Sequence, residues 1–224
     1  MRVLNRITAA VLMALVSAAT TACSSDKSTA PSALDIQPGL PTSWASVGTN
    51  SPTYVVGADR VTAHGGSASL GIAGTDTNRL RFAGIGQAIR PDNYLGKRVR
   101  FSAWVRHENT LGSDIGLWMR IDGPGVTEGF DNFSSRPLLG TSDWHKVEII
   151  LDVPNDALGI TFGALMSGRG QFLVDDMQFE IIPATGLTTN LLTGFTDSGV
   201  DVATMAAFYT RQSKTPTNLD FETR

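Results

Sequence analysis

Residues 115–122 (IGLWMRID), a Gly-rich link, residues 130–144 (FDNFSSRPLLGTSDW) and residues 145–154 (HKVEIILDVP) follow one another in the chain. Ile115, Leu117, Met119 and Ile121 alternate with Gly116, Trp118, Arg120 and Asp122. His145, Val147, Ile149, Leu151 and Val153 alternate in the same way with Trp144, Lys146, Glu148, Ile150 and Asp152. A period of two sends alternate side chains to opposite faces of a pleated sheet, so both stretches read as strands with one apolar face. Upstream, residues 97–106 (KRVRFSAWVR) repeat the pattern, with Val99, Phe101, Ala103 and Val105 on the apolar side. The opposite side of the three strands carries Trp, Arg, Lys and Glu.

Working outward, residues 53–58, 67–73, 85–89, 158–166 and 171–182 read as further strands, separated by Gly, Pro, Asn and Asp clusters. About nine short strands at even spacing, with no long helical period between them, predict an all-β fold, a jelly-roll β-sandwich. Charged residues make up 17% of the 224 and Gly numbers 23, a mix that suits a turn-rich β domain. The net charge of −3 offers no basic field for nucleic acid or an anionic membrane. The cluster Arg98, Arg100, Arg106 therefore reads as one solvated strand face.

Arg2 and Arg6 precede an apolar run, residues 7–19, that is shorter than the roughly 20 residues a spanning helix needs. With the small residues that follow, this predicts a secretory signal over residues 1–22. Cys23 is the single cysteine, so an intrachain disulfide is excluded. Its position resembles the lipobox of bacterial lipoproteins, although Thr20 stands where Leu or Val is usual. The expectation is lipidation at Cys23 and a cell-envelope location, with Ser24 implying the outer membrane in a diderm host. Residues 23–38 (polar, rich in Ser, Thr and Pro) read as a flexible tether, residues 39–183 as the sandwich, and residues 184–224 as a mostly irregular tail with a short helix near 200–212.

His64-Gly65-Gly66, Gly96-Lys97-Arg98-Val99-Arg100, residues 116–122, Phe130-Asp131-Asn132, Arg136-Pro137, Gly140-Thr141, Trp144, residues 151–154 and Val174-Asp175-Asp176 stand in order. Together they resemble an uncharacterised bacterial module found beside AraC-type regulators and S41-type peptidases. That module is similar to galactose-binding-like, carbohydrate-binding jelly rolls. The likeness covers about residues 44–182 and implies a sensing or binding part, since nothing beyond Ile182 resembles a helix-turn-helix or a protease.

Sugars stack an apolar face on aromatic rings while charged neighbours bond their hydroxyls. This chemistry points to a platform of Trp104, Trp118, Arg100, Arg120 and Glu148, set against the alternative that the same side packs under covering loops. Asp131, Asn132 and Arg136 lie in an interstrand loop and either bind ligand or brace the loop. Asp175 and Asp176 would contribute to a structural calcium of the kind similar jelly rolls hold; the competing reading has one facing water and the other accepting backbone N–H bonds. No other cofactor is expected. His64, His107 and His145 show no metal spacing, and no GxSxG, P-loop or complete GxGxxG occurs, Gly84-Ile85-Gly86 lacking the third glycine. The expected function is a non-catalytic, envelope-anchored module for a carbohydrate or similar polar ligand. The alternative is a structural or protein-interaction domain of the envelope, with a hydrolase third.

Overall fold

The computed structural model describes residues 36–49, 51–76, 78, 81–194, 196–197 and 199–223. The signal segment and Cys23 lie outside them. In chain order the elements are β1 (Ile36–Pro38), β2 (Ala45–Gly48), β3 (Tyr54–Asp59), β4 (Ser69–Thr75), β5 (Ala83–Ile89), β6 (Arg98–Asp122), β7 (Val126–Asp131), β8 (Gly140–Asp152), β9 (Gly159–Ile182), β10 (Thr196–Asp197) and the helix α1 (Val202–Thr210).

Two of these strands are far longer than their sequence pattern implies. β6 has 25 residues and β9 has 24, and they pair antiparallel along almost their whole length. Residues 115–122 of β6 and 159–166 of β9 form the middle of one sheet, in the order β2-β5-β9-β6-β7-β10. Residues 98–111 of β6 and 169–182 of β9 form the middle of the other, in the order β1-β3-β4-β9-β6-β8. The result is an all-β, jelly-roll β-sandwich whose two sheets share a pair of bent strands.

The bend falls at Gly112, Gly168 and Gly170. Gly168 and Gly170 have φ of +127° and +115°, values that side chains rarely adopt, and a Cβ on Gly112 would overlap the carbonyl oxygen of Ser167. Residues 167–170 (SGRG) therefore continue the strand around a corner where the composition reads as a break. Tyr54 fastens this corner: its hydroxyl accepts from the Gly168 N–H at 2.8 Å and donates to the Arg81 carbonyl at 3.0 Å.

The core lies between the sheets. Val99, Phe101, Ala103 and Val105 from one half of β6, and Ile115, Leu117, Met119 and Ile121 from the other, are fully buried with Ile149, Leu151, Ile160, Phe162 and Phe172. Each such aliphatic or aromatic side chain stabilises the fold by about 1.5–3 kcal/mol through loss of apolar surface to water. In β9 the inward set changes phase: Phe172 and Val174 point to the core, then Met177 and Phe179. The register shifts between the pairs Ser102–Gln178 and Trp104–Asp175, and Asp176 has φ of +45°, so a β-bulge sits at Asp175–Asp176. Leu173, Asp175 and Met177 therefore do not share one face, as a simple period of two over residues 171–182 would have it.

Two boundaries also differ from the sequence reading. Residues 36–38, expected in the tether, are β1 and pair with β3. The described residues after 183, expected as a mostly irregular tail with a short helix, return to the sandwich. Phe221 is fully buried against Trp44, Gln87 exchanges hydrogen bonds with the Thr217 backbone, and Ser213 forms a bridge to Ile89. All described residues belong to one compact unit within Leu34–Arg224. Among them, no helix is long and apolar enough to cross a membrane.

Candidate functional site

On the outer face of the first sheet, β6 presents Gly116, Trp118, Arg120 and Asp122. Their partners on β9 are Leu165, Gly163, Thr161 and Gly159, and Gly163 in turn pairs with Gly86 of β5. Trp118 therefore faces two successive positions without side chains, Gly163 and Gly86, and its indole lies down across them. A Cβ on Gly86 would stand 2.9 Å from the ring, and the indole N–H donates to the Ile85 carbonyl at 3.0 Å. Gly86 and the Ile85 carbonyl thus make a floor for an aromatic ring.

Beside this floor is a groove of about 570 Å³, lined by Val47, Phe82, Asp114, Trp118, Arg120, Phe130, Asn132, Thr161, Leu165, Ser167 and Phe208. Apolar and aromatic side chains dominate, and a few polar groups converge from several strands, as in small-ligand sites generally. At one end Asn132 donates from Nδ2 to Asp114 Oδ1 at 2.9 Å, and the Ser113 hydroxyl donates to Asp114 Oδ2 at 2.5 Å. Among the described residues no ion pair neutralises Asp114. At the other end Arg120 Nε reaches Asp122 Oδ1 at 3.0 Å, and Asp122 is buried. Burial works against the Arg120 charge, but Asp122 and Tyr209 outweigh it and hold the guanidinium pKa above its ordinary value. Burial, with the Asp122 charge, pushes the Tyr209 phenol far above its ordinary value.

The expected platform residues divide between two faces. Trp118, Arg120 and Asn132 line the groove. Trp104, Arg100 and Glu148 stand on the outer face of the second sheet, because β6 turns its corner between Trp104 and Trp118. A single platform of Trp104 and Trp118 does not form. His64 stacks on Trp104 at 4.0 Å with the planes 13° apart, and Trp144 meets His64 edge-on at 5.6 Å. Arg100 donates to Glu180 at 3.0 Å and lies 4.0 Å from Glu148. These are half-exposed pairs of the kind that contribute little net energy.

In the interstrand loop, Asp131 is buried and takes both Nη groups of Arg136, at 3.1 and 2.7 Å, together with the Phe133 N–H. The Arg136 guanidinium lies 4.0 Å above the Phe133 ring, and Phe133 itself has φ of +61°. Asp131 and Arg136 are thus committed to bracing the loop that carries Asn132 to the groove.

Asp175 accepts the N–H groups of His64 and Gly65 on Oδ2 and of Asp176 on Oδ1. Burial raises its pKa, against those three bonds. Asp176 Oδ2 is 2.6 Å from His64 Nδ1. Three backbone N–H groups thus occupy Asp175, and no group of three His, Cys, Asp or Glu side chains that could hold a metal stands among the described residues.

Sequence reasoning missed Asp114, Phe82, Phe130, Thr161, Leu165 and Phe208. The outward glycines Gly86 and Gly163 are the signal that points to them, since two adjacent strands without side chains leave a trough. Phe208 comes from α1, and only the tertiary fold brings it there.

No protein-family model matches the chain. Over 151 residues, 66% of its length, the chain is 36% identical to a Bacillus subtilis (strain 168) protein described as the uncharacterized HTH-type transcriptional regulator YbfP. The match takes in 50% of that protein, so the chain spans about half the length of the curated relative it matches. Among solved structures it is similar to the xylan-binding CBM22-1 domain of Paenibacillus barcinonensis Xyn10C, with a TM-score of 0.45 and 16% identity over 68% of this chain and 98% of that one. It is also similar to the C-terminal family 22 carbohydrate-binding module of Clostridium thermocellum Xyn10B, with a TM-score of 0.44 and 18% identity over 70% and 96%. A third is TmCBM61 in complex with β-1,4-galactotriose, at 0.44 and 16% over 64% and 92%. The fold of this chain rests on its own strand pairing.

Proposed function

We propose that this protein is a non-catalytic carbohydrate-binding module, exported and held at the cell envelope through a lipid on Cys23, and that it takes a saccharide in the groove beside Trp118. The groove itself carries this reading. Its apolar bed of Trp118, Phe82, Phe130, Leu165 and Phe208 suits the C–H faces of sugar rings, and Asp114, Asn132, Arg120 and Thr161 stand where hydroxyls would be bonded. Among the described residues its lining supplies one carboxylate, Asp114, whereas glycoside hydrolysis ordinarily uses a pair. The envelope location rests on Arg2, Arg6, the apolar run 7–19 and Cys23. YbfP is described as a regulator, and half of it lies outside the match; the part shared with this chain would then be the ligand-sensing part.

The test is a glycan array probed with the chain lacking residues 1–23, followed by titration calorimetry on the saccharides retained. Binding that Arg120→Ala and Phe130→Ala each weaken by tenfold or more supports the reading. Retention of no saccharide, or binding that both variants leave intact, overturns it. Mass spectrometry of the envelope-extracted protein tests the anchor, with Cys23→Ser expected to remove the diacylglyceryl mass.

A further inference from the structure

The helix α1 touches the groove through one residue and the sheet beneath it through the next. Phe208 lines the groove, and Tyr209, which is buried, lies flat on Gly159, where a Cβ would overlap its ring. The Tyr209 hydroxyl donates to Asp122 Oδ2 at 2.5 Å. Having one hydrogen, it accepts from the Thr161 hydroxyl, 2.7 Å away. Asp122 in turn holds Nε of Arg120. One phenol thus ties together Arg120 and Thr161, two polar groups of the groove, and fixes the helix turn that carries Phe208.

Two buried side chains anchor the helix among the described residues. Met205 and Tyr209 are its buried residues, while Val202, Ala203, Thr204, Ala207, Phe208 and Thr210 are exposed. Nine residues are too few to be stable as an isolated helix in water, so its position depends on those anchors. Asp201 caps its start by accepting from the Thr204 N–H, and downstream the Ser213–Ile89 bridge returns the chain to the sheet.

We infer that Tyr209 is a positioning residue for the ligand groove: its hydroxyl, acting through Asp122 and Thr161, orients Arg120 and holds Phe208 as the groove wall. The inference deepens the carbohydrate-binding reading and rests on it for its ligand arm. It makes the C-terminal segment part of the site, so the face that meets a ligand is assembled from residues as far apart in the chain as Val47 and Phe208. Tyr209→Phe is the clean probe, because it keeps the ring on Gly159 and removes only the oxygen.

The test has two arms on the full mature chain. In the first, the Arg120 Nε–H resonance of the ligand-free protein, assigned by its loss in Arg120→Lys, is followed by NMR. Tyr209→Phe is expected to shift and broaden it and to speed its exchange with water severalfold, while a Phe221→Leu variant, destabilised at a distance, leaves it in place. In the second arm, β-1,4-xylohexaose and β-1,4-galactotriose are titrated at a temperature where every variant is folded. Tyr209→Phe and Phe208→Ala are each expected to weaken the saccharide that binds by about five- to tenfold. An unchanged Arg120 resonance with unchanged affinity in Tyr209→Phe overturns the inference and leaves saccharide binding standing. If the wild type binds neither saccharide nor any on the array, the carbohydrate reading fails, and the resonance alone decides the role of Tyr209.

Discussion

Trp44 and Phe221, separated by almost the whole folded chain, pack ring against ring at 5.4 Å, and the Trp44 indole N–H donates to the Asn218 carbonyl at 2.9 Å. Phe221 is fully buried, and the neighbouring Glu222 carboxylate accepts from the Ser67 and Ala68 N–H groups at 2.7 and 3.0 Å. The last residues are therefore a clasp on the open end of the core. Phe221→Ala is expected to cost about 3–5 kcal/mol, the usual range for deleting a buried aromatic ring. Urea unfolding followed by tryptophan fluorescence measures it. A cost below about 1 kcal/mol would mean that the segment is only laid on the surface.

The brace between Asp131 and Arg136 gives a second expectation. Asp131 is fully buried and draws two guanidinium bonds from a half-exposed partner. Arg136→Ala strands that carboxylate, and the expected loss is about 3 kcal/mol, the low end for breaking a buried pair. Arg136→Lys should recover little of it, since a point charge cannot reproduce the bidentate contact. Thermal unfolding of both variants provides the comparison.

Acid should loosen the fold through Asp152. Hydrogen bonds from Arg98, at 2.7 and 2.8 Å, hold its carboxyl below the usual carboxylate range. A carboxyl depressed in the folded state adds stability above its unfolded pKa and loses it as pH falls through the folded value. Asp175, raised by burial, acts with the opposite sign, favouring the fold at low pH and less so as pH rises through its elevated value. Asp152→Asn is expected to flatten the acid limb of a plot of urea midpoint against pH, and Asp175→Asn to steepen it. Parallel curves for Asp152→Asn and wild type would contradict the assignment.

The floor of the groove can be perturbed from beneath, without substituting any residue of its lining. Gly86→Ala places a methyl group 2.9 Å from the Trp118 ring and 3.2 Å from Val47. Both neighbours must give way, at an expected cost of about 1–3 kcal/mol for overpacking. The tilted indole should lose its bond to Ile85, seen as a shift of its N–H resonance, and saccharide affinity should fall with it. An undisturbed indole resonance would show that the ring does not depend on the glycine lane.

The strands at residues 98–105, 115–122 and 145–153 were legible because their alternation meets a buried face at every second residue. Gly168 and Gly170 misled for a physical reason: the glycines that end most strands here carry one strand around a corner. The same corner separates Trp104 from Trp118, which a linear reading places on one surface. Asp175–Asp176 hid a bulge, since a one-residue insertion changes the phase without changing the composition. Phe208 and Asp114 were out of reach, because their place in the groove depends on where α1 docks and on how β6 bends.

The Trp118 face, and not the Trp104 face, is expected to receive a saccharide. Titrating 15N-labelled protein with a bound oligosaccharide and following the four indole N–H resonances tests it most directly. The Trp118 indole, the Asn132 side-chain amide and the Arg120 Nε–H are expected to shift together along one saturation curve, while Trp104 and Trp144 stay fixed. Movement of Trp104 and Trp144 with Trp118 unmoved would contradict it and transfer the site to the opposite sheet.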